Sequence, residues 1–319
     1  VNGAGGNDTL LGQAGNDTLL GGDGDDRLDD IVGSDSIFGG NGNDSVQYSS
    51  SSYQLSGGAG TDTLLGTSGA DTIDLGVARF SASGGGNAAT ANTNAGGFDV
   101  MELGDGDDLL YFTTVSANDL SLTVFGGAGD DRLSMLDGDA ALGSSHTLYG
   151  GDGVDKIWAG WFGMGGNATV FGGNGDDFIY SGGGTAGPGG YDDTLYGGEG
   201  FDYYYWSPNN GGFGKDIIYD SSAGGNGLIV FSGNTAPAAG FPDTGSVDND
   251  PINGRVSLVD LGGGWFRIED KADPLNSIQF RGGDITVINL QSRPGGAGTG
   301  ENFVYTWDSV NGVWVDQNG

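Results

Sequence analysis

Large apolar residues recur every nine positions along the first quarter of the chain, each two places after a slot that usually holds aspartate. The residues before that slot are rich in glycine and asparagine, which favour turns with positive φ. The three residues after it alternate polar, apolar, polar, which predicts a short strand with its central side chain on one face. Clear copies of this unit, G-G-x-G-x-D-x-U-x with U large and apolar, cover 21–29, 39–47 and 57–65. The pattern predicts turns that alternate with minimal strands.

A single nine-residue unit cannot bury its apolar side chain, so the units are predicted to stack. Two units make one coil with a turn at each edge, and stacked coils align their apolar residues in an inner column. Flexible low-complexity sequence is the alternative, but it does not explain an apolar residue kept in register through eight repeats. The predicted column comprises Leu10, Leu19, Leu28, Ile37, Val46, Leu55, Leu64 and Ile73.

Aspartates that stand two repeats apart are predicted to lie above one another at the edges of the coils. Carboxylates and turn carbonyls from successive coils would then form oxygen cages, which Ca²⁺ prefers. Tyr53 interrupts one of the two rows. The predicted rows are Asp8, Asp26, Asp44 and Asp62 on one edge, and Asp17, Asp35 and Asp71 on the other.

A second array begins near position 98, and its strong turns are spaced more widely than those of the first array. We predict a strict edge with a calcium ligand in every slot and a decorated edge that carries inserted loops at 137–145, 160–167 and 181–187. Leu, His and Ala are poor or impossible ligands for Ca²⁺, so the middle of the decorated edge should be empty. The strict edge holds Asp108, Asp131, Asp155, Asp177 and Asp202, and the decorated edge holds Asp99, Leu122, His146, Ala168, Asp193 and Asp216.

Aromatic residues often follow the apolar position in this second array, and the alternation of a strand points them outward. They would either cover the sheets and the bases of the loops, or offer a surface for a glycan or a neighbouring subunit. The two columns are Tyr111, Trp158, Tyr180 and Tyr205, and Phe125, Tyr149, Phe171, Tyr196 and Tyr219.

The repeats stop after Phe231, and a different pattern of strands follows. A hairpin is predicted from 255–261 and 265–270, with further strands at 277–280, 285–290, 303–307 and 313–315. Such a segment is expected to cap the open end of a solenoid. The predicted chain is therefore all-β, with a regular parallel β-roll at 1–76, an inserted loop at 77–97, an elaborated β-roll at 98–231 and a mostly antiparallel cap at 232–319.

The composition agrees with a cation-dependent fold. The 319 residues include 70 glycines and 43 acidic against 10 basic residues, for a net charge of −33, and only four of the acids are glutamates. Such a charge opposes compaction unless cations neutralise it, and it argues against a nucleic-acid partner. No apolar stretch reaches the roughly 18 residues of a membrane span, and the absence of cysteine excludes disulfides. Because Val1 lies inside a repeat, we expect a fragment of a longer protein.

No catalytic constellation is visible, so we expect no enzyme. His146 is the only histidine, which excludes a histidine-based zinc site, and its sequence neighbours Ser144 and Ser145 are unsuited to a catalytic triad. The segment 212–216 lacks the Ser or Thr of a phosphate-binding loop. The segment 105–108 starts like an EF-hand loop, but Ser116 stands where that loop requires glutamate.

The repeats over 1–76 and 98–231 resemble those of RTX (haemolysin-type) calcium-binding proteins, and 216–290 looks like the cap that follows them in many members. The resemblance implies a β-roll that folds on binding several Ca²⁺ ions, and export by a type I secretion system to the cell exterior or surface. It also implies the ligands Asp8, Asp17, Asp26, Asp35, Asp44, Asp62, Asp71, Asp99, Asp108, Asp131, Asp155, Asp177, Asp193, Asp202 and Asp216.

Membership of this family does not fix the biology, because its members include toxins, enzymes, adhesins and surface-layer proteins. We expect an extracellular calcium-binding structural protein of surface-layer, surface-fibre or matrix type, which self-assembles into a lattice or filament. The alternatives are the C-terminal secretion and stability module of a secreted enzyme, and a glycan-binding adhesin.

Overall fold

The structure is a computed structural model that describes part of the chain. The predicted loops at 77–97, 137–145, 160–167 and 181–187 lie outside the described residues except at their ends. The described residues are 1–30, 32–47, 54–74, 97–111, 121–135, 145–159, 167–181, 191–206, 214–220, 227–231, 256–270, 277–281, 285–290, 303–308 and 313–316.

The described residues form strands that wind into a solenoid of parallel coils. Strands of one long sheet alternate along the chain with strands of two shorter sheets, so that each coil contributes one strand to either side. No helix long and apolar enough to cross a membrane occurs in this part of the chain.

Three sheets make up the solenoid, and neighbouring strands of each sheet are hydrogen-bonded to one another. The four-stranded sheet consists of β1 (Asn2–Gly5), β3 (Thr18–Asp23), β5 (Ser36–Asn41) and β7 (Gln54–Ala59). The 13-stranded sheet consists of β2 (Thr9–Leu11), β4 (Arg27–Asp29), β6 (Ser45–Gln47), β8 (Thr63–Leu65), β10 (Val100–Asp105), β12 (Thr123–Ala128), β14 (Ser145–Asp152), β16 (Asn167–Asn174), β18 (Thr194–Glu199), β20 (Lys215–Tyr219), β24 (Ser277–Arg281), β23 (Trp265–Asp270) and β22 (Val256–Gly262). The ten-stranded sheet consists of β27 (Val313–Asp316), β26 (Phe303–Asp308), β25 (Ile285–Leu290), β21 (Gly227–Phe231), β19 (Tyr203–Trp206), β17 (Phe178–Tyr180), β15 (Lys156–Trp158), β13 (Arg132–Ser134), β11 (Leu109–Tyr111) and β9 (Thr72–Asp74).

The register of the sheets follows the repeat. Leu28 pairs with Val46 and Val46 with Leu64, which is the predicted coil of two repeats. Leu64 then pairs with Met101, so β8 joins β10 directly although a long segment of sequence separates the two strands. The two predicted arrays therefore form one continuous roll, and the parallel β-roll prediction is confirmed.

The predicted inner column is buried along its whole length. Its most exposed member, Leu10, is only 7% exposed, and it lies at the open first coil. Burial of each such side chain contributes about 1.5–3 kcal/mol, which is how three-residue strands become stable. The column continues through Met101, Leu110, Val124, Leu133, Leu148, Ile157, Val170, Ile179, Leu195, Tyr204, Ile218 and Ile229.

Glycine is required in the turns both for conformation and for space. Gly22 and Gly24 have φ of 120° and 128°, which L side chains rarely adopt. A Cβ added to Gly24 would overlap the carbonyl oxygen of Gly6 in the preceding coil. The coils can therefore approach within strand-pairing distance only where these side chains are missing.

The cap is built into the roll and does not form a separate layer. β24 pairs in parallel with β20, and β25 in parallel with β21, so these two strands make a final coil. The hairpin of β22 and β23 extends one sheet in antiparallel fashion, and β26 and β27 extend the other. The predicted strands and the mostly antiparallel pairing of the cap are confirmed within the described residues. Phe266, Ile268, Ile278, Phe280 and Ile285 continue the buried core.

Gly24→Ala should lower the free energy of unfolding in excess calcium by about 1–3 kcal/mol, because the new methyl group meets the backbone of the preceding coil at an unfavourable φ. Gly69→Ala is the matched control, since a Cβ there has open space around it, and it should change stability by less than about 0.5 kcal/mol. Urea unfolding followed by circular dichroism measures both. Equal losses in the two variants would contradict the close-approach explanation.

Candidate metal sites

Most turns end in an aspartate whose Oδ1 accepts the backbone N–H of the residue in the equivalent position of the preceding coil. On one side of the roll, which we call the Asp8 edge, Asp8 donates to Asp26, Asp26 to Asp44 and Asp44 to Asp62, each over 2.8 Å. Asp62 then donates to Oδ2 of Asp99 over 2.9 Å, which carries this edge into the second array. The decorated edge is thus the continuation of the Asp8 edge.

On the opposite side, the Asp17 edge, the same hydrogen bonds between successive aspartates form a ladder. This ladder continues into the strict edge. Asp17 donates to Asp35 over 2.9 Å, and Asp71 donates to Asp108 over 2.6 Å. The following N–H to Oδ1 bonds measure 2.8 to 3.0 Å and join Asp108, Asp131, Asp155, Asp177 and Asp202 in turn. The structure therefore places these predicted ligands in one row.

In most of the ladder aspartates the second carboxylate oxygen, Oδ2, is buried and has no hydrogen-bond partner in the protein. A buried polar atom left without a partner costs about 1–3 kcal/mol, and more when it is charged. Repetition of the same orphaned atom along both edges indicates that a cation satisfies it. The unpartnered Oδ2 atoms belong to Asp8, Asp26, Asp35, Asp44, Asp62, Asp108, Asp131, Asp155, Asp177, Asp202 and Asp216.

Backbone carbonyls supply further oxygen atoms beside the orphaned carboxylate. A Cβ added to Gly21 would overlap both Oδ2 of Asp26 and the carbonyl oxygen of Gly39 in the next coil. The same holds on the other edge for Gly126, beside Asp131 and the carbonyl of Gly150. Each site thus combines a carboxylate and a carbonyl from successive coils, and such hard oxygen ligands suit Ca²⁺.

Burial raises the pKa of the ladder carboxyl groups when no cation is bound. Loss of solvent raises the pKa of Asp62 and Asp131 to about 7 and that of Asp177 to about 8, although the backbone N–H of the preceding coil lowers each in part. Burial likewise raises the pKa of Asp108, Asp155 and Asp202 to about 6. A bound divalent cation favours the ionised form and would reverse these shifts.

Four predicted ligands have a different environment. Asp17 and Asp99 are only half-buried, and Oδ2 of Asp71 accepts the N–H of Thr67 over 2.6 Å. Asp193 is buried in the Asp8 edge, where it donates to Asp216 over 3.0 Å. All four occupy the predicted slots, and their role as calcium ligands stays a prediction.

Apolar burial replaces carboxylates in the middle of the Asp8 edge. Leu122 and Ala168 belong to the hydrophobic core, together with Met135 and Ala159 from the neighbouring turn positions. His146 is 1% exposed, and its Nδ1 accepts the N–H of Leu122 over 3.3 Å in place of an aspartate oxygen. The slots lie where the sequence predicts them, and none of the three offers a carboxylate.

Two buried aspartates were not predicted from the sequence. Asp30 and Asp220 stand at the first position of a turn, where the repeat normally has glycine, and each is 1% exposed. Burial, followed by the charge of Asp35, raises the pKa of Asp30, although the backbone N–H of Val32 lowers it in part. Burial, followed by the charges of Asp220 and Asp202, raises the pKa of the Tyr204 hydroxyl well above its usual value. An alignment on the first turn position would have revealed both.

Other acidic residues satisfy backbone amides at the surface. Oδ1 of Asp25 accepts the N–H of Asn43 over 2.9 Å, and Oδ1 of Asp130 accepts the N–H of Val154 over 2.9 Å. These side chains lie one residue before a ladder aspartate, and their hydrogen bonds to the next coil are exposed to solvent. The ladder is therefore distinguished by burial and position and not by acidity alone.

The stacked coils, the buried oxygen ladder and the glycine turns together define a calcium-binding parallel β-roll. A sequence model of the RTX calcium-binding nonapeptide repeat matches residues 2–29, 32–48, 54–77, 123–139, 147–161, 162–185 and 189–205. The chain thus carries RTX calcium-binding nonapeptide repeats, and these repeats bind several Ca²⁺ ions. Such repeats are typical of secreted proteins. No curated protein matches the chain.

Asp131→Asn should remove at least one bound Ca²⁺ and lower the free energy of unfolding in calcium by more than about 2 kcal/mol, because a charged ligand is lost inside the coil interface. Asp130→Asn removes the same charge one residue away, keeps an oxygen for Val154, and should leave the stoichiometry unchanged. Chelator competition and thermal unfolding measure the two effects. Equal calcium loss in both variants would refute the ladder assignment.

Calcium binding should weaken as the pH falls from 8 to 5.5. Burial raises the pKa of Asp62, Asp131 and Asp177 from 3.8 to about 7 to 8. The metal-free fold therefore binds these protons more tightly than the unfolded chain does, and it loses stability as the pH rises through this window. Calcium must displace these protons, so its binding should release them. Titrations in buffers of different ionisation enthalpy measure the release, and a pH-independent calcium midpoint without proton release would contradict it.

Proposed function

We propose that the protein is an extracellular structural component, of surface-layer, surface-fibre or matrix type, whose roll is held folded by calcium and which has no enzymatic activity of its own. The observation that supports this most is the burial of the ladder. Most of its carboxylates are at most 3% exposed, and they are distributed through successive coils on both edges. Ions held there would be fixed parts of the framework and out of reach of a substrate.

The environment of the only histidine supports a non-catalytic role. His146 is buried, and its Nδ1 already accepts the amide of Leu122. A general base needs to reach the proton that it abstracts within hydrogen-bonding distance. A buried imidazole that bonds to the backbone of a neighbouring coil is better suited to holding that coil in place.

The aromatic columns favour cover and stiffening over glycan recognition. Phe125, Tyr149, Phe171 and Tyr196 stack ring on ring with centroids 4.7 Å apart and interplanar angles of 4° to 8°. The rings therefore cover one another's faces, which a sugar would need for stacking. Each pair contributes about 0.5–1.5 kcal/mol beyond its buried area, and the column extends along the 13-stranded sheet.

The charge of the chain fits folding after export, for which we propose a type I secretion system. At low calcium the net charge of −33 and the raised carboxyl pKa values oppose the roll. Extracellular calcium modules typically bind at about 10⁻⁴–10⁻³ M, so the roll would form outside the cell. A secretion and stability module of a larger enzyme would behave in the same way, and the complete gene distinguishes the two.

Self-assembly is the property that separates the structural role from its alternatives. Purified protein viewed by electron microscopy in millimolar calcium should show ordered lattices or filaments, and excess EGTA should abolish them. Asp131→Asn serves as an internal control, since a weakened ladder should raise the calcium needed for assembly. Monodisperse particles at all protein concentrations in calcium would contradict the surface-layer, fibre and matrix forms of the proposal.

A further inference from the structure

The turn at 30–35 contains a buried carboxylate that the repeat does not call for. Several turns of the Asp17 edge begin with glycine, including those that start at Gly12, Gly126 and Gly150, whereas this one begins with Asp30. Asp30 is 1% exposed, and neither of its carboxylate oxygens has a hydrogen-bond partner of normal geometry. The nearby backbone N–H of Val32 offsets only part of the cost of burying this charge. The protein alone therefore does not satisfy the side chain.

The carboxylate of Asp30 enters the gap between two coils. A Cβ added to Gly12 of the preceding coil would overlap Oδ2 of Asp30, so the side chain occupies space that Gly12 leaves open. Asp17, Asp30 and Asp35 each offer one carboxylate oxygen within 4.8 Å of the others. Three carboxylates from two successive coils therefore converge on one point.

Asp35 is already oriented for the same point. Its Oδ1 accepts the N–H of Asp17 over 2.9 Å, which fixes the carboxylate, and its Oδ2 has no partner. Among the described ion pairs none involves these three carboxylates, and the nearby Arg27 approaches Asp29 at 3.8 Å. Buried like charges without a counter-ion are strongly destabilising, so the three carboxylates require a cation in order to be ionised together.

The structure assigns Asp17, Asp30 and Asp35 to a tricarboxylate site that binds Ca²⁺ more tightly than the ordinary repeat sites of this roll. At an ordinary site, such as that of Asp26, the next coil contributes the neutral carbonyl of Gly39. Here the first turn position adds a negative charge, and the affinity of calcium sites rises with ligand charge. Tyr53 fills the next slot of this edge in the sequence, so the site ends its run of aspartates.

This inference rests on the calcium binding of the proposed function and does not require the structural role. The test is a calcium titration of the full chain in competition with a chromophoric chelator. The wild-type chain should bind one equivalent about tenfold or more tightly than the rest. Asp30→Asn and Asp30→Gly should both lose this equivalent and keep the weaker ones. Asp30→Gly restores the glycine of the repeat, so it should fold, and circular dichroism in excess calcium verifies this.

Asp29→Asn is the matched control, because Asp29 is the adjacent acid, pairs with Arg27 at the surface and is partly exposed. It should keep the tight equivalent. A wild-type isotherm with one uniform class of sites, or a tight equivalent that persists in both Asp30 variants, would overturn the site and leave calcium binding by the roll intact. Absence of any calcium binding would instead overturn the proposed function.

Discussion

The fold depends on an aspartate carboxylate that is shared between neighbouring coils. One oxygen accepts the amide of the coil before it over 2.6 to 3.0 Å, and this bond fixes the direction of the other. The second oxygen is then buried without a protein partner in eleven rungs of the two ladders. Carboxylates one strand spacing apart repel by roughly 3 kcal/mol at an effective dielectric constant of about 20. Stacking of coils and binding of cations are therefore a single event, because the contact that aligns two coils also creates the charge that a cation must neutralise.

Successive turns are held together in two different ways on the two edges of the roll. On the Asp17 edge the ladder runs without a break from Asp71 to Asp202. On the Asp8 edge the middle slots hold Leu122 and Ala168, which join the core and offer no carboxylate. His146 keeps the hydrogen bond of the ladder with a neutral acceptor. Apolar burial thus takes the place of the ladder carboxylate in this part of the roll, and the parallel pairing of β14 with β16 is preserved.

The sequence predicts those parts of the molecule that repeat locally. The inner column and the aspartate slots follow from the nine-residue period, because each copy presents the same turn and the same strand. Asp30 and Asp220 were missed because their burial arises from the approach of another coil over Gly12 or beside Tyr204. The alternation of the strands predicts the outward side of Phe125, which is exposed, but it does not predict the burial of Trp158 or the ring-on-ring stacking, because both depend on neighbouring coils. The strands of the cap are visible in the sequence, whereas their partners are not, because β24 and β25 pair with strands that lie far from them along the chain.

At the end of the roll, as in the middle of the Asp8 edge, an apolar residue stands in the slot of a ladder aspartate. Ile278 of β24 pairs in register with Asp216, so it stands where the next ladder aspartate would be. It is fully buried in the core, and the N–H of Ser277 donates to the carbonyl of Gly214 over 2.9 Å, which keeps the parallel pairing. Within the cap, Arg267 and Glu269 form an ion pair at 2.7 Å. Where Leu122, Ala168 or Ile278 takes the slot of a ladder aspartate, neighbouring coils are therefore held together by hydrophobic burial in place of a carboxylate.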